Sequence, residues 1–90
     1  DAYRRLTQEP AMKELLEYLA RGLVDEPEQV SVEQFEPGQE GAAIVLELSV
    51  AEGDYGQVIG RGGRTVNALR TVIKASAAAQ DRRVLLDLVD

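Results

Sequence analysis

The sequence predicts a two-layer α+β domain in which a three-stranded sheet carries three helices on one face. Three observations carry this prediction. Apolar residues recur at helical spacing over 12–23; they alternate with polar ones over 30–35 and 44–50; and a glycine-rich loop at 60–63 separates two helical patterns ahead of a last apolar run, 84–89. A sheet face and a helix stripe that are both apolar must be buried together, which gives two layers. With 90 residues there is room for one domain, which buries roughly 60–65 % of its unfolded surface without a metal or disulfide.

Each element has its own local reason. Residues 1–6 read as a lead-in, and Thr7 is placed to cap a helix whose stripe is Met12, Leu15, Leu16, Leu19 and Leu23. That helix ends before Pro27, because the residue preceding a proline is pushed away from helical angles. Met12 is also a candidate natural start, which makes 1–11 an N-terminal extension or lead-in and 12–90 the domain. Val30 and Val32 alternate with Ser31 and Glu33 in a short strand, and a Pro-Gly turn follows at 37–38. Ile44, Leu46, Leu48 and Val50 mark the inner side of a second, half-buried strand. Asp54 and Gln57 have capping-box spacing, which predicts a short helix over about 55–59 that stops at Gly60. A longer helix runs from near Gly63 to about Ala79, and 84–89 is the last strand, so the order is α-β-β-α-α-β.

Composition narrows the chemistry. Cysteine and histidine are both absent, which removes thiol nucleophiles, imidazole bases, most zinc sites and any disulfide framework. With no carboxylate pair close to the glycine loop either, the chain is expected not to be an enzyme and to need no cofactor or metal. No apolar run approaches the roughly 18 residues of a membrane span, so a soluble, cytoplasmic protein is expected. The net charge of −6 argues by itself against a polyanionic ligand, but the charge is unevenly spread. Residues 1–52 hold 4 basic and 12 acidic side chains, whereas 53–83 hold 6 basic and 2 acidic. The positive block contains the glycine loop, which suits one face to an anion on an otherwise acidic body.

The loop itself, Gly60-Arg61-Gly62-Gly63, allows positive φ and close approach of another backbone, while the following helix offers unpaired N–H groups to an anion. Spacing rejects two nucleotide-binding motifs. A P-loop needs glycine then lysine where Arg61 and Gly62 stand after Gly56, and a dinucleotide fingerprint beginning at Gly60 needs glycine where Thr65 stands.

The run "VIGRGGRTVNALR", taken with the element order, resembles a KH domain of the bacterial, type II topology, in which an I-G-x-x-G loop joins two helices and clamps about four nucleotides of single-stranded nucleic acid. Over 12–89 the layout is similar to the small bacterial single-KH RNA-binding proteins of the KhpA type. The resemblance implies that Gly60, Arg61, Gly62 and Gly63 contact the sugar-phosphate backbone, and that Val58 and Ile59 help form the groove floor. Arg64 follows where relatives often carry a polar or basic residue. Two departures stand out: Gln57 replaces a common lysine, and Gly62 fills a position usually held by a side chain. The first predicts weaker binding and the second a more flexible loop.

At 100° per residue, Arg64, Asn67, Arg70, Thr71 and Lys74 fall within an arc of about 120° continuous with the loop. Arg64 and Asn67 are the phosphate candidates, and distance along the helix weakens the case for Arg70 and Lys74. Val66, Leu69 and Ile73 form a core face. Ala68, Val72, Ala75 and Ala79 form a third face, to be covered by the N-terminal helix or by a second copy of the chain. Aromatic residues number only four, Tyr3, Tyr18, Phe35 and Tyr55, so stacking on an aromatic sheet is not expected, and Tyr55 is better suited to packing at a helix start.

The expected function is single-stranded RNA binding with low sequence preference, as a post-transcriptional regulator or RNA chaperone. The resemblance implies a homodimer and a heterodimer with a larger Jag-type KH partner. The alternative is a protein-interaction module with a weak KH groove. A third reading is a KH domain from a larger transcription or translation factor.

Overall fold

A computed structural model of the chain describes residues 10–39 and 41–89, and Thr7 with its expected cap lies outside them. Helix α1, Pro10–Leu23, buries Met12, Leu16 and Ala20 completely, with Leu15 and Leu19 packed at their sides. Leu23, the last member of the predicted stripe, is 38 % exposed, and Ala20 takes the inward place one turn earlier. The spacing 12, 16, 20 is the line a straight helix keeps against a flat sheet.

After a short 3₁₀ turn at Pro27–Gln29, β1 (Ser31–Phe35) pairs antiparallel with β2 (Ile44–Ser49), and β2 pairs parallel with β3 (Val84–Leu88), giving the order β1-β2-β3. A parallel pair cannot be closed by a tight turn and needs a crossover. Helix α2 (Tyr55–Ile59), the glycine loop and helix α3 (Arg64–Ala79) are that crossover, so the loop is suspended between two helices at one end of the domain.

The inward side of the sheet is Val32 from β1, Ile44, Leu46 and Leu48 from β2, and Val84 and Leu86 from β3. These join Met12, Leu16, Val58, Leu69 and Ile73 of the helices in one core. Fully burying one such aliphatic side chain contributes about 1.5–3 kcal/mol, so this layer and not the charged surface carries the stability. The predicted strands and helices are all present, and the two-layer α+β order α-β-β-α-α-β is the observed one.

One local expectation fails. Asp54 precedes α2 but makes no capping bond to it. Its carboxylate, only 3 % exposed, instead accepts hydrogen bonds from the backbone N–H of Asp25 at 3.3 Å and of Glu26 at 3.1 Å. The turn after α1 supplies two backbone donors, and accepting from both satisfies the buried carboxylate. Gln57, the other half of the expected box, donates from Nε2 to Asp25 Oδ2 at 3.4 Å. Both residues therefore tie α2 to the α1–β1 connection.

Candidate nucleic-acid interface

The loop begins where α2 ends. Gly60 has φ +76° and its N–H donates to Gly56 O at 2.9 Å. Gly62 and Gly63 also lie at positive φ, +64° and +79°, and Gly63 N–H returns to Gly60 O at 3.1 Å. The backbone thus folds tightly on itself and emerges directly into α3 with Gly63 as a left-handed cap. The first turn of α3 points its N–H groups and the positive end of the helix dipole at this loop.

Gly60 is required for space as well as for φ. A Cβ there would lie 2.7 Å from Thr65 Cβ and 2.8 Å from Thr65 N, closer than real contacts permit. A Cβ on Gly62 would meet nothing within 4 Å, so that position is open to a ligand. Arg61, Gly62 and Arg64 are exposed around the open side of the loop. Neither arginine side chain has a hydrogen bond or ion pair among the described residues, although the chain holds a surplus of carboxylates.

The two apolar residues before the loop part company. Ile59 is 39 % exposed, whereas Val58 has no accessible surface and belongs to the core. Successive residues of a helix point about 100° apart, so only one of the pair can face the groove. Ile59 offers surface to a ligand, and Val58 supports α2 from beneath.

On α3, Asn67 is exposed one turn from the loop, with Nδ2 on the side of Gly63. Arg70 is turned inward. Its Nε donates to Leu86 O at 3.3 Å and its Nη1 to Asn67 Oδ1 at 3.3 Å. With its acceptor taken in this way, Asn67 presents its amide donors to the loop side, which suits an anionic oxygen. Arg70 thus positions Asn67 and braces α3 against β3, a role that spacing alone did not reveal. Tyr55 is likewise structural: its hydroxyl donates to Val89 O, joining the start of α2 to the end of β3.

The small-residue face of α3 is bare. Val72 is 44 % exposed, and Ala68, Ala75 and Ala79 are exposed beside it, while the buried line is Val66, Leu69, Ile73 and Ala77. Helix α1 packs on α3 but leaves this face to solvent. Among the described residues no helix is long and apolar enough to cross a membrane, and no group of three metal-ligating side chains converges.

Comparison with known proteins agrees with this geometry. The family model described as KhpA/KhpB, KH domain, matches residues 13–88. A protein named RNA-binding protein KhpA from Halalkalibacterium halodurans is 47 % identical over 79 residues, covering 88 % of this chain and 100 % of the relative. Proteins of the same name from Treponema pallidum, 49 % identical over 78 residues (87 % of this chain, 94 % of the relative), and Chlamydia trachomatis, 39 % identical over 79 (88 % and 97 %), are also similar. These relatives are named as RNA-binding proteins and not as enzymes, in keeping with the non-enzymatic reading of the sequence. A glycine loop between two helices, inside an α-β-β-α-α-β domain matched over almost its whole length, makes the chain a member of the KhpA/KhpB KH-domain family.

Proposed function

We propose that this chain binds single-stranded RNA, with little sequence preference, across the Gly60–Gly63 loop and the first turns of α3. The observation that carries the reading is the open loop with two unpaired arginines. Gly60, Gly62 and Gly63 hold positive φ, so the backbone admits a phosphate closely, and Arg61 and Arg64 stand beside it without internal partners. Asn67 adds amide donors on the same side, and Ile59, backed by Val58, gives a base an aliphatic surface. The names of the relatives point the same way. Residues 12–90 form the KH domain in this reading, with 1–11 as an extension or lead-in. The setting is cytoplasmic, and the role is post-transcriptional control or RNA chaperoning.

The test is fluorescence anisotropy with a pool of short random RNA, comparing the wild type with the Arg61→Asp, Gly62→Asp double variant. Gly62 tolerates aspartate because the site is sterically open and Asp enters the left-handed region more readily than most residues. The variant is expected to lose binding while its circular dichroism is unchanged. Equal affinity of the two proteins would remove the loop as the site.

A second reading is favoured by one observation, the bare face of Ala68, Val72, Ala75 and Ala79 on α3. Small side chains let two helix backbones approach, which supports a homodimer across a two-fold axis, or pairing with a larger Jag-type KH protein. If the wild type fails to bind RNA even at low salt, pairing becomes the main function.

A further inference from the structure

Five cationic side chains of the described residues have no hydrogen bond or ion pair: Lys13, Arg61, Arg64, Lys74 and Arg83. In an acidic protein that is an uneven outcome, since Arg21 and Arg82 do find carboxylates, Glu17 and Glu36. Four of the five belong to α3 or to its two ends. Arg61 and Arg64 lie at the glycine loop, whereas Lys74 and Arg83 line a cavity of about 350 Å³ at the opposite end of the helix. The remainder of that cavity is Arg82, held by its ion pair with Glu36, and apolar residues, Ala78 from α3, Ala43 ahead of β2, and Val84 and Leu85 of β3. Leu85 is 56 % exposed, an aliphatic surface with nothing packed over it.

We propose that this cavity is a second nucleotide subsite, in which Lys74 and Arg83 hold a phosphate of the strand leaving the glycine loop and Leu85 carries a base. The inference rests on the RNA-binding reading and extends it to a longer footprint. Arg64, Asn67, Lys74 and Ala78 lie on one face of α3, so the two sites share a wall. Between them Arg70 bridges α3 to Leu86 O, which keeps a positive group on that wall. The negative end of the α3 dipole opposes an anion here, but its final carbonyls are engaged, Ala77 O by the N–H of Gln80 and Arg82 and Ala78 O by that of Asp81. Asp81 is the carboxylate nearest in sequence, and it lines the adjoining cavity with Arg82 and Arg83.

Ten residues of helix from Arg64 to Lys74 span about 15 Å. A stacked strand rises about 3.4 Å per nucleotide, so the second subsite lies roughly four nucleotides beyond the about four held at the loop. RNA of four nucleotides reaches only one site; RNA of ten reaches both.

The experiment measures anisotropy of labelled random RNA pools of four and ten nucleotides at 0.15 M salt, where the Debye length of about 8 Å isolates the two sites from each other, and repeats the ten-mer at about 0.05 M salt to obtain the salt slope. It uses the wild type, Lys74→Gln with Arg83→Gln, and Arg61→Asp with Gly62→Asp. Losing two phosphate contacts, at about 0.7 of a counterion each, is expected to weaken the ten-mer about tenfold and to lower its salt slope by about 1.4, with the four-mer changed less than twofold. An unchanged ten-mer, an equal loss for both lengths, or a wild type that holds ten nucleotides no tighter than four would overturn the second subsite. If the loop variant then still loses both lengths, the loop reading stands without it. A wild type that binds neither length overturns both.

Discussion

Gly60 and Gly62 share positive φ but differ in surroundings, and the difference is measurable. Alanine at Gly62 meets open space, so only the left-handed backbone resists it, at about 1–2 kcal/mol. Alanine at Gly60 adds an overlap with Thr65, and overpacking contributes a further ~1–3 kcal/mol. Urea denaturation should therefore rank Gly60→Ala as the less stable variant, and equal midpoints would contradict the Thr65 contact. Asp54 gives a second residue-scale prediction. Asp54→Ala strips the acceptor from two backbone donors, so each donor left buried is expected to cost about 1–3 kcal/mol in the same assay. A loss below 0.5 kcal/mol, the usual range for surface changes, would mean that water replaces the carboxylate.

At the scale of the element, α3 holds the argument together because its three faces do different things. Ile73 is fully buried and Val72, its neighbour in sequence, is 44 % exposed. Ile73→Ala is expected to destabilise by about 2–5 kcal/mol, and Val72→Ala in the monomer by no more than about 0.5 kcal/mol. The face bearing Arg64 and Asn67 was legible in the sequence, because a helix repeats every 3.6 residues and the charges follow that period. The inward turn of Arg70 was not. It depends on β3 lying alongside, a neighbour 16 residues away that no helical wheel contains. The strands were readable for a similar reason: a period of two fixes which side of β1 and β2 is buried, and the structure buries Val32, Ile44, Leu46 and Leu48 as the alternation requires.

For the molecule as a whole, the decisive property is the separation of charge. An acidic body with a positive block should bind a polyanion weakly and release it with salt. Three or four phosphate contacts predict roughly 20- to 50-fold weaker RNA binding between 50 and 200 mM salt, and a flat response would point away from phosphate. The bare small-residue face of α3 predicts association as well. Sedimentation velocity at micromolar concentration should show a dimer that Val72→Glu disperses, since two carboxylates would meet across a two-fold axis. A wild type that sediments as a monomer throughout would leave that face without a homodimeric role. If the dimer forms, it brings two glycine loops to one RNA, and the linked second contact compensates for a loop that lacks a lysine at Gln57.

The sequence by itself determined the two layers, the order of elements, the glycine loop and the helix faces, because each rests on local periodicity or on the conformational freedom of glycine. Tertiary structure decided which of Val58 and Ile59 reaches the surface, drew Asp54 away from its helix to the amides of Asp25 and Glu26, and left Ala68, Val72, Ala75 and Ala79 uncovered. It also brought Lys74 and Arg83 to one cavity from different elements. These outcomes depend on contacts between residues distant in the chain, and the periodicity of one segment does not specify which segment will pack against it.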